Sequence, residues 1–541
     1  MAQSRNDLTS RPDLEHEHRT GPERTQRPVY LDILPPCNHA CPAGEDIQGW
    51  LALAQAGEHE QAWRHLMRDN PLPAVHGRVC YHPCESSCNR ANLDSTVSIH
   101  AVERFLGDRA REAGWQPAPS ASPSGKRVLI VGAGPSGLSA AYHLARHGHG
   151  VEIHEAGPLP GGMMLFGIPA YRLPRDVLAE EVRRIEQLGV EILLGHKVED
   201  LLAEKERGRF DAVFLAVGAH IGKRTEIPSR DAGKMLDAVA FLRQVSAGEL
   251  PRLGRRVAIY GGGNTAMDAA RAARRLGYEP LIIYRRDRAH MPAHQFEADE
   301  ALAEGVEIHW LRSIKAADGA TLTVEIMEVD AEGHPRATGQ LEALEADSLI
   351  LALGQDVDTG FLRRVPGVEF APDGTVIVDQ NMMTGHPGVF AGGDMVPSER
   401  SVTVAVGHGK KASRVIDAYL RGATLAPVVK KPIASFDKLH VWFFMDAAQR
   451  PQAELEPRRR VTSFDEVVSG LSQAEAVFEA KRCLSCGNCF ECDGCFGACP
   501  EDAITKLGKG LRYQFDFDRC TGCGVCFQQC PSHAIEMTPE I

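Results

Sequence analysis

No cysteine stands between Cys88 and Cys483, and acidic residues outnumber basic ones. Nor does any apolar run approach the roughly eighteen residues that a membrane-crossing helix needs. Each absence excludes something. A disulfide scaffold spreads its cysteines over the chain, whereas these fifteen gather in two places, five from Cys37 to Cys88 and ten from Cys483 to Cys530. That distribution suits localised metal sites in a reducing compartment. The balance of 60 basic against 72 acidic residues, net −12, is opposite to the footprint of a nucleic-acid binder. The opening residues MAQSRNDLTSRPDLEHEHRT lack the apolar centre of an export signal. The expectation is a soluble, cytoplasmic protein without nucleic-acid or membrane partners. Its 541 residues, 43% hydrophobic and 24% charged, predict about three to five globular domains.

Two segments repeat one order. KRVLIVGAGPSGLSAAYHLARHG (126–148) is an apolar run, a glycine turn and an amphipathic helix, followed by the strand VEIHEA; RRVAIYGGGNTAMDAARAARRLG (255–277) is the same, followed by PLIIYRR. Each unit predicts one parallel-sheet nucleotide crevice. In the first, Gly132, Gly134 and Gly137 allow the tight turn, the approach of a pyrophosphate and close helix packing. Glu155 ends the next strand, placed for a ribose hydroxyl. In the second, Gly261, Gly263 and Ala266 form the G-x-G-x-x-A variant, and Arg285 and Arg286 end the following strand where a 2′-phosphate would lie, favouring NADP(H) over NAD(H). VFAGGD (389–394) is a further strand whose Asp394 suits the hydroxylated chain of FAD. DAVFLAVGAH (211–220) and DSLILALGQD (347–356) bracket the second unit, so the expectation is a dinucleotide domain inserted into an FAD domain.

The last sixty residues carry the strongest spacing. Cys489, Cys492, Cys495 and Cys499 follow C-x2-C-x2-C-x3-C-P, and Cys520, Cys523, Cys526 and Cys530 repeat it. In bacterial two-cluster ferredoxins the fourth cysteine of each run ligates the other cluster. One [4Fe–4S] cluster is therefore expected on Cys489, Cys492, Cys495 and Cys530, the other on Cys520, Cys523, Cys526 and Cys499. Near the start, CNHACP and CYHPCESSC supply Cys37, Cys41, Cys80, Cys84 and Cys88, and spacing alone leaves a zinc site or a structural role open for these five.

The words NPLPAVHGRVCYHPC, VGAGPSGLSAA, PGGMMLFGIPAYRLP, GGGNTAMDAA, IIYRR, MPA and VFAGGD occur in that order from about Pro36 to Leu420. On them the chain resembles the small (beta) subunit of glutamate synthase and its relatives, NAD(P)H-dependent FAD and iron–sulfur oxidoreductases. The resemblance implies FAD at Gly132, Gly134, Gly137, Glu155, Gly162 and Asp394, and a nicotinamide dinucleotide at Gly261, Gly263, Asn264, Ala266, Arg285 and Arg286. It also implies that Cys41, Cys80 and Cys84 hold a flavin-proximal cluster with Glu103 as fourth ligand. Two departures stand out: Val29 and Asp32 occupy the neighbourhood of the family's first CxxC pair, and His76 replaces a frequent cysteine. EAKRCLSCGNC (479–489) resembles the entry to that missing cluster, so Cys483 and Cys486 are expected to join Cys37 and Cys88 in a further cubane, in one chain or between two. The alternative leaves Cys483 and Cys486 spare and puts Cys88 in the place of Glu103.

The predicted fold class is α/β. Two Rossmann-like domains stand between a helical iron–sulfur domain and an α+β ferredoxin-like one. The expected boundaries are 1–28 tail, 29–120 helical iron–sulfur domain, 121–250 and 351–425 FAD domain, 251–350 NAD(P)H domain, 426–480 connector and 481–541 two-[4Fe–4S] ferredoxin domain. The predicted function is electron transfer between NAD(P)H, FAD, the clusters and a ferredoxin or partner enzyme such as a 2-oxoacid:ferredoxin oxidoreductase, as one subunit of a hetero-oligomer. No side chain is nominated as catalytic, because hydride transfer needs stacking of the two rings more than an acid or base. The alternatives are a glutamate synthase small subunit serving an amidotransferase, and a non-catalytic flavin redox sensor.

Overall fold

The computed structural model describes residues 24–540 except 224, 226, 229–234 and 428. Most of the expected tail, residues 1–23, lies outside the described residues. Among the described residues the chain forms two compact units: Pro36–Lys430 with Asp446–Cys483, and the residues before Pro36 with Lys431–Met445 and those from Leu484 on.

The larger unit is built on two parallel five-stranded sheets. The first has the order Val389–Ala391, Ala212–Leu215, Arg127–Val131, Gly150–His154, Glu191–Leu193. Its central strands are the uninterrupted apolar runs of the sequence, and Val128, Leu129, Ile130, Val213 and Phe214 are fully buried, as strands covered on both faces require. The second has the order Glu307–Trp310, Glu279–Tyr284, Arg256–Tyr260, Ser348–Leu351, Met235–Asp237. An antiparallel meander, Arg312–Asp318, Thr321–Val329 and Pro335–Glu345, stands in the chain between its strands Glu307–Trp310 and Ser348–Leu351. The chain leaves the first sheet after Leu215, builds the second and returns at Val389 beside Ala212–Leu215, which is the nesting the sequence predicts. The second sheet recruits Met235–Asp237 and the helix Ala238–Ser246, so it begins before the expected residue 251.

The helix Pro135–Arg146 lies against Val402–Arg421. A Cβ at Gly409 would sit 2.3 Å from Ser136 O, and Ser139 Oγ donates to Val406 O at 2.8 Å, so only glycine permits this approach. Residues 36–114 form the expected helical domain, including Ile47–Gln55, His59–Leu66, Pro73–Val79 and Ile99–Ala113, around the buried Trp50 and Trp63.

The expected connector is not one piece, since Lys431–Met445 belongs to the smaller unit and Asp446–Cys483 to the larger. Within it SQAEAVFEAKR forms the helix Gln473–Lys481, opened by a Ser472/Glu475 capping box. It packs on Ile47–Gln55 and Ile99–Ala113. Just beyond it the buried Arg482 donates to Thr96 O (2.6 Å), Ser95 O (2.7 Å), Ala447 O (2.8 Å) and Glu479 (2.9 Å). A guanidinium so fully paired ties the end of this segment to the helical domain.

In the smaller unit Gln26–Tyr30 pairs antiparallel with Ile535–Pro539. This corrects the expected boundary at residue 28: the end of the supposed tail is a strand of the cysteine-rich unit. Pro28 is tolerated because a two-stranded ladder leaves half of the backbone N–H groups unpaired. A second pair joins Ile504–Lys506 to Tyr513–Phe515. The core consists of Cys495, Ile504, Tyr513, Cys526, Cys530, Ala534 and Ile535.

Candidate functional site

The first glycine turn leaves the strand Arg127–Val131 through Gly132, whose φ of +105° and approach of a Cβ position to 2.5 Å from Ala216 O both require glycine. Gly137 closes the turn, since a Cβ there would meet Gly132 O at 2.0 Å. Glu155 braces the backbone: Oε2 accepts from Ala133 N (2.8 Å) and Oε1 from Gly157 N (2.6 Å). Gly162 comes within 2.9 Å, Cβ position to Cα, of Gly134, so the PGGMMLFGIP loop folds over the turn.

A cavity of about 840 Å³ opens at this point, lined by Gly132, Gly134, Ser136, Glu155, Gly162 and Asp394 among others. The residues fit a dinucleotide cofactor. A Cβ on Gly134 would meet no protein atom within 4 Å and would project into this space, and the buried Ser136 Oγ at the helix N-terminus has no hydrogen-bond partner. These are a cradle and an orphaned donor for an anion. Burial pushes the Asp394 carboxyl up to about 6, against the pull of Arg400.

The second turn faces the same cavity. Gly263, Asn264 and Thr265 line it, Gly261 has φ +149° with a Cβ position 2.2 Å from Ala352 O, and Ala266 is buried in the helix–sheet contact. Arg285 and Arg286 follow the strand Glu279–Tyr284; Arg285 is exposed, and the Arg286 Nε has no partner. They lie outside the cavity lining.

Cys41, Cys80 and Cys84, expected on one cluster, all belong to the larger unit. Burial raises the Cys41 and Cys84 thiols well above the ordinary value and Cys80 up to about 12; Glu45 and Glu103 add to the rise at Cys41 and Cys80, and Glu85, Cys80, Cys41 and Glu103 to that at Cys84. Three buried thiols and a buried carboxyl whose charges act on one another make a donor set that suits a cationic centre. Cys80 Sγ accepts from Thr403 Oγ1 (3.1 Å) and His82 N (3.2 Å), and Glu103 accepts from Asn70 Nδ2 (2.8 Å). His76 is buried beside this acid, its Nδ1 2.8 Å from Asn70 Nδ2.

Cys88 has other neighbours, Glu85, which raises its thiol, and Arg482, which lowers it, with burial the largest effect. Cys37 stands on the short helix Pro36–Ala40, packed on Pro83–Ser86, and Cys483 is half-buried against the same core. Cys486 belongs to the smaller unit. None of the fifteen cysteines forms a disulfide.

In the smaller unit the buried thiols act on one another. Burial pushes Cys495 up to about 12, reinforced by Cys489, Cys530 and Cys492. It pushes Cys526 up to about 11, partly offset by the Phe527 backbone, with Cys520, Cys523 and Cys499 adding to the rise. A small pocket is lined by Cys499, Cys520, Cys523 and Cys526 with Gly522 and Gly524.

Residues 126–409 match the family model described as pyridine nucleotide-disulphide oxidoreductase. Residues 23–115 match dihydropyrimidine dehydrogenase domain II, 4Fe-4S cluster, and residues 488–534 a 4Fe-4S dicluster domain. The chain is 37% identical over 507 residues to NADP(+)-dependent formate dehydrogenase subunit beta of Moorella thermoacetica, covering 84% of this chain and 71% of that protein. The chain belongs to the FAD and iron–sulfur NAD(P)H oxidoreductase subunits related to the small chain of glutamate synthase. Other members include NADPH-Fe(3+) oxidoreductase subunit beta of Geobacter sulfurreducens, 34% identical with 83% of this chain and 75% of that one covered. The glutamate synthase [NADPH] small chain of Escherichia coli is 33% identical, with 70% and 87% covered. The chain is thus an NAD(P)H-dependent oxidoreductase of this family, with FAD and [4Fe–4S] clusters as its cofactors. That membership removes the non-catalytic sensor from the alternatives. Among the described residues no helix is long and apolar enough to cross a membrane.

Sequence reasoning missed a buried polar group behind the second turn, Tyr81, Arg172, Asp268 and Glu297. Three of its members lie inside motifs already noticed, CYHPC, AYRLP and GGGNTAMDAA, but nothing local marks them as partners of one another or of Glu297.

Proposed function

We propose that this chain is the dinucleotide-oxidising or dinucleotide-reducing subunit of a redox complex, exchanging electrons between NADP(H) and a ferredoxin or partner enzyme in the cytoplasm. The observation that carries the reading is that both glycine turns open on one cavity, which Val79 and Tyr81 also line; these residues flank Cys80, so the proximal thiol set adjoins the space that accommodates FAD and nicotinamide. FAD bound there supplies the conversion of a two-electron hydride into single electrons. Gly134, Ser136 and Gly162 cradle its phosphates, Glu155 its ribose and Asp394 its hydroxylated chain, while Gly263 and Asn264 receive the dinucleotide. Cys41, Cys80, Cys84 and Glu103 hold the proximal cluster, and the eight thiols of the smaller unit hold the two exit clusters. Those eight thiols favour delivery to an iron–sulfur acceptor over amidotransfer. The names of the relatives in Moorella and Geobacter, both beta subunits linked to NADP(H), support a hetero-oligomeric setting.

The dinucleotide choice rests on Arg285 and Arg286. Arg285→Glu is expected to raise the KM for NADPH roughly 10- to 100-fold, the worth of a charge-assisted contact to phosphate, and to change the KM for NADH by less than about twofold. Steady-state kinetics with both nucleotides checks this; equal effects would show that the arginine does not read the 2′-phosphate.

A further inference from the structure

Three donor atoms meet at the edge of the first sheet, where no sequence motif announces them. His154 ends the strand Gly150–His154, His196 stands just beyond the strand Glu191–Leu193, and Glu204 is on the helix Leu201–Arg207. His154 and Glu204 are buried and His196 is half-buried. One ring nitrogen of each histidine and one carboxylate oxygen of Glu204 all lie within 4.8 Å of one another. Glu204 Oε1 is 3.3 Å from His154 Nδ1 and 3.2 Å from His196 Nε2, and Arg207 takes the other oxygen. Neither hydride transfer nor cluster ligation uses these side chains.

The other nitrogen of His154 fixes its tautomer. Nε2 lies 2.7 Å from Glu152 Oε1, and the second oxygen of Glu152 accepts from Arg127 at 2.9 Å. A carboxylate only accepts, so Nε2 carries the N–H, and Nδ1 of the neutral ring is a bare lone pair. This buried Nδ1 has no hydrogen-bond partner, although Glu204 stands beside it. Two buried acceptors facing each other need a cation between them. A proton suits the place poorly, because charge-assisted N–H···O bonds close to about 2.7–2.9 Å, shorter than either contact to Glu204, and the Nδ1 contact lacks hydrogen-bond geometry. A metal ion suits it well. With bonds of about 2.0–2.1 Å, tetrahedral zinc sets its ligand atoms about 3.3 Å apart, and both contacts to Glu204 match that spacing. Glu152 is then the outer carboxylate that orients a metal-bound imidazole.

We propose that His154 Nδ1, His196 Nε2 and Glu204 Oε1 bind one divalent cation of the zinc class, with water in the fourth position. The set contains no thiol, which separates it chemically from the cysteine sites. Its place gives it a task. Gly195 N donates to Gly157 O (2.9 Å) and His196 N to Glu155 O (2.8 Å), and His196, Lys197 and Val198 line the cavity beside Glu155. The ion therefore ties this stretch of cavity wall to the strand and the helix that carry the other two ligands. The proposal goes beyond the function proposed above and does not depend on it.

The test uses the full holoenzyme with FAD and iron content verified, washed anaerobically with a chelator and then dialysed against Zn²⁺ as the only added metal. About one zinc per chain should remain, and its X-ray absorption should show nitrogen and oxygen at about 2.0–2.1 Å, imidazole scattering beyond them, and no sulfur at about 2.3 Å. Glu204→Gln and His154→Phe should each lower the retained zinc by about tenfold or more at unchanged iron content. Glu152→Ala should weaken zinc binding roughly 10- to 100-fold while the same atoms remain around the metal. A wild-type enzyme that retains no zinc overturns the proposal. So does zinc held only by sulfur, or retained equally by the wild type and Glu204→Gln.

Discussion

Replacing Gly134 with valine is expected to give a folded chain that binds no flavin. The backbone at Gly134 has φ −75° and ψ −178°, an extended conformation open to any residue, and a Cβ there meets no protein atom within 4 Å. The fold therefore tolerates the side chain. The cavity does not, because the added isopropyl group would stand at the N-terminus of Pro135–Arg146, where the pyrophosphate must approach the backbone. Flavin absorbance per chain should fall by about tenfold or more, and NAD(P)H oxidation by more than roughly 10²-fold, as uncoupling the hydride acceptor requires. The melting temperature should match that of flavin-stripped wild-type protein, since all that is lost is the stabilisation by bound ligand. Gly132→Val is the control: with φ +105° and a carbonyl 2.5 Å from the Cβ position, it should lower stability whether or not flavin is supplied. Full flavin content in Gly134→Val would show that this turn is not the flavin site.

Cys492→Ser combined with Cys526→Ser should separate entry from exit. If the eight thiols hold two clusters as proposed, each substitution removes a ligand from one of them, and the iron content should drop by about eight atoms per chain. The structural cost falls on the same unit, because three of the seven residues of its core are cysteines. A core so small depends on its metal for folding, and limited proteolysis should attack residues 484–540 selectively. The larger unit has its own core, so flavin reduction by NADPH should change by less than about twofold while electron delivery to a ferredoxin falls by more than roughly 10²-fold. Thiol substitution is cleaner than a truncation beginning at residue 481, which would also remove Arg482 and its bonds to Ser95 and Thr96. Delivery unchanged in the double variant would mean that electrons leave elsewhere.

Glycine turns and cysteine runs were legible in the sequence because their chemistry is local: a strand, a turn and a helix N-terminus are contiguous, and so are four thiols of a cluster run. The nesting of the second sheet was legible for a related reason, since the apolar strands around Leu215 and Leu351 bracket it in the chain. What escaped is non-local. Gln26–Tyr30 is a five-residue segment containing a proline, without the alternation that marks a strand, and its partner is at the other end of the chain. Met235–Asp237 has only three residues. Tyr81 and Glu297 lie 216 residues apart, and neither carries a mark of its own until the helical domain and the dinucleotide domain are folded against the same cavity. The split of the segment 426–480 is similar: its helix was readable from the capping box and apolar spacing, but the destination of each half depends on which core it covers.

The most direct measurement is anaerobic viologen reduction by the flavin- and iron-loaded enzyme, with NADPH and NADH compared at equal concentration. The reading of the cavity as the place where a hydride is taken up and its electrons passed on singly predicts steady-state turnover, faster with NADPH and abolished in Gly134→Val. No turnover with either nucleotide, in protein that holds its full flavin and iron, would contradict it.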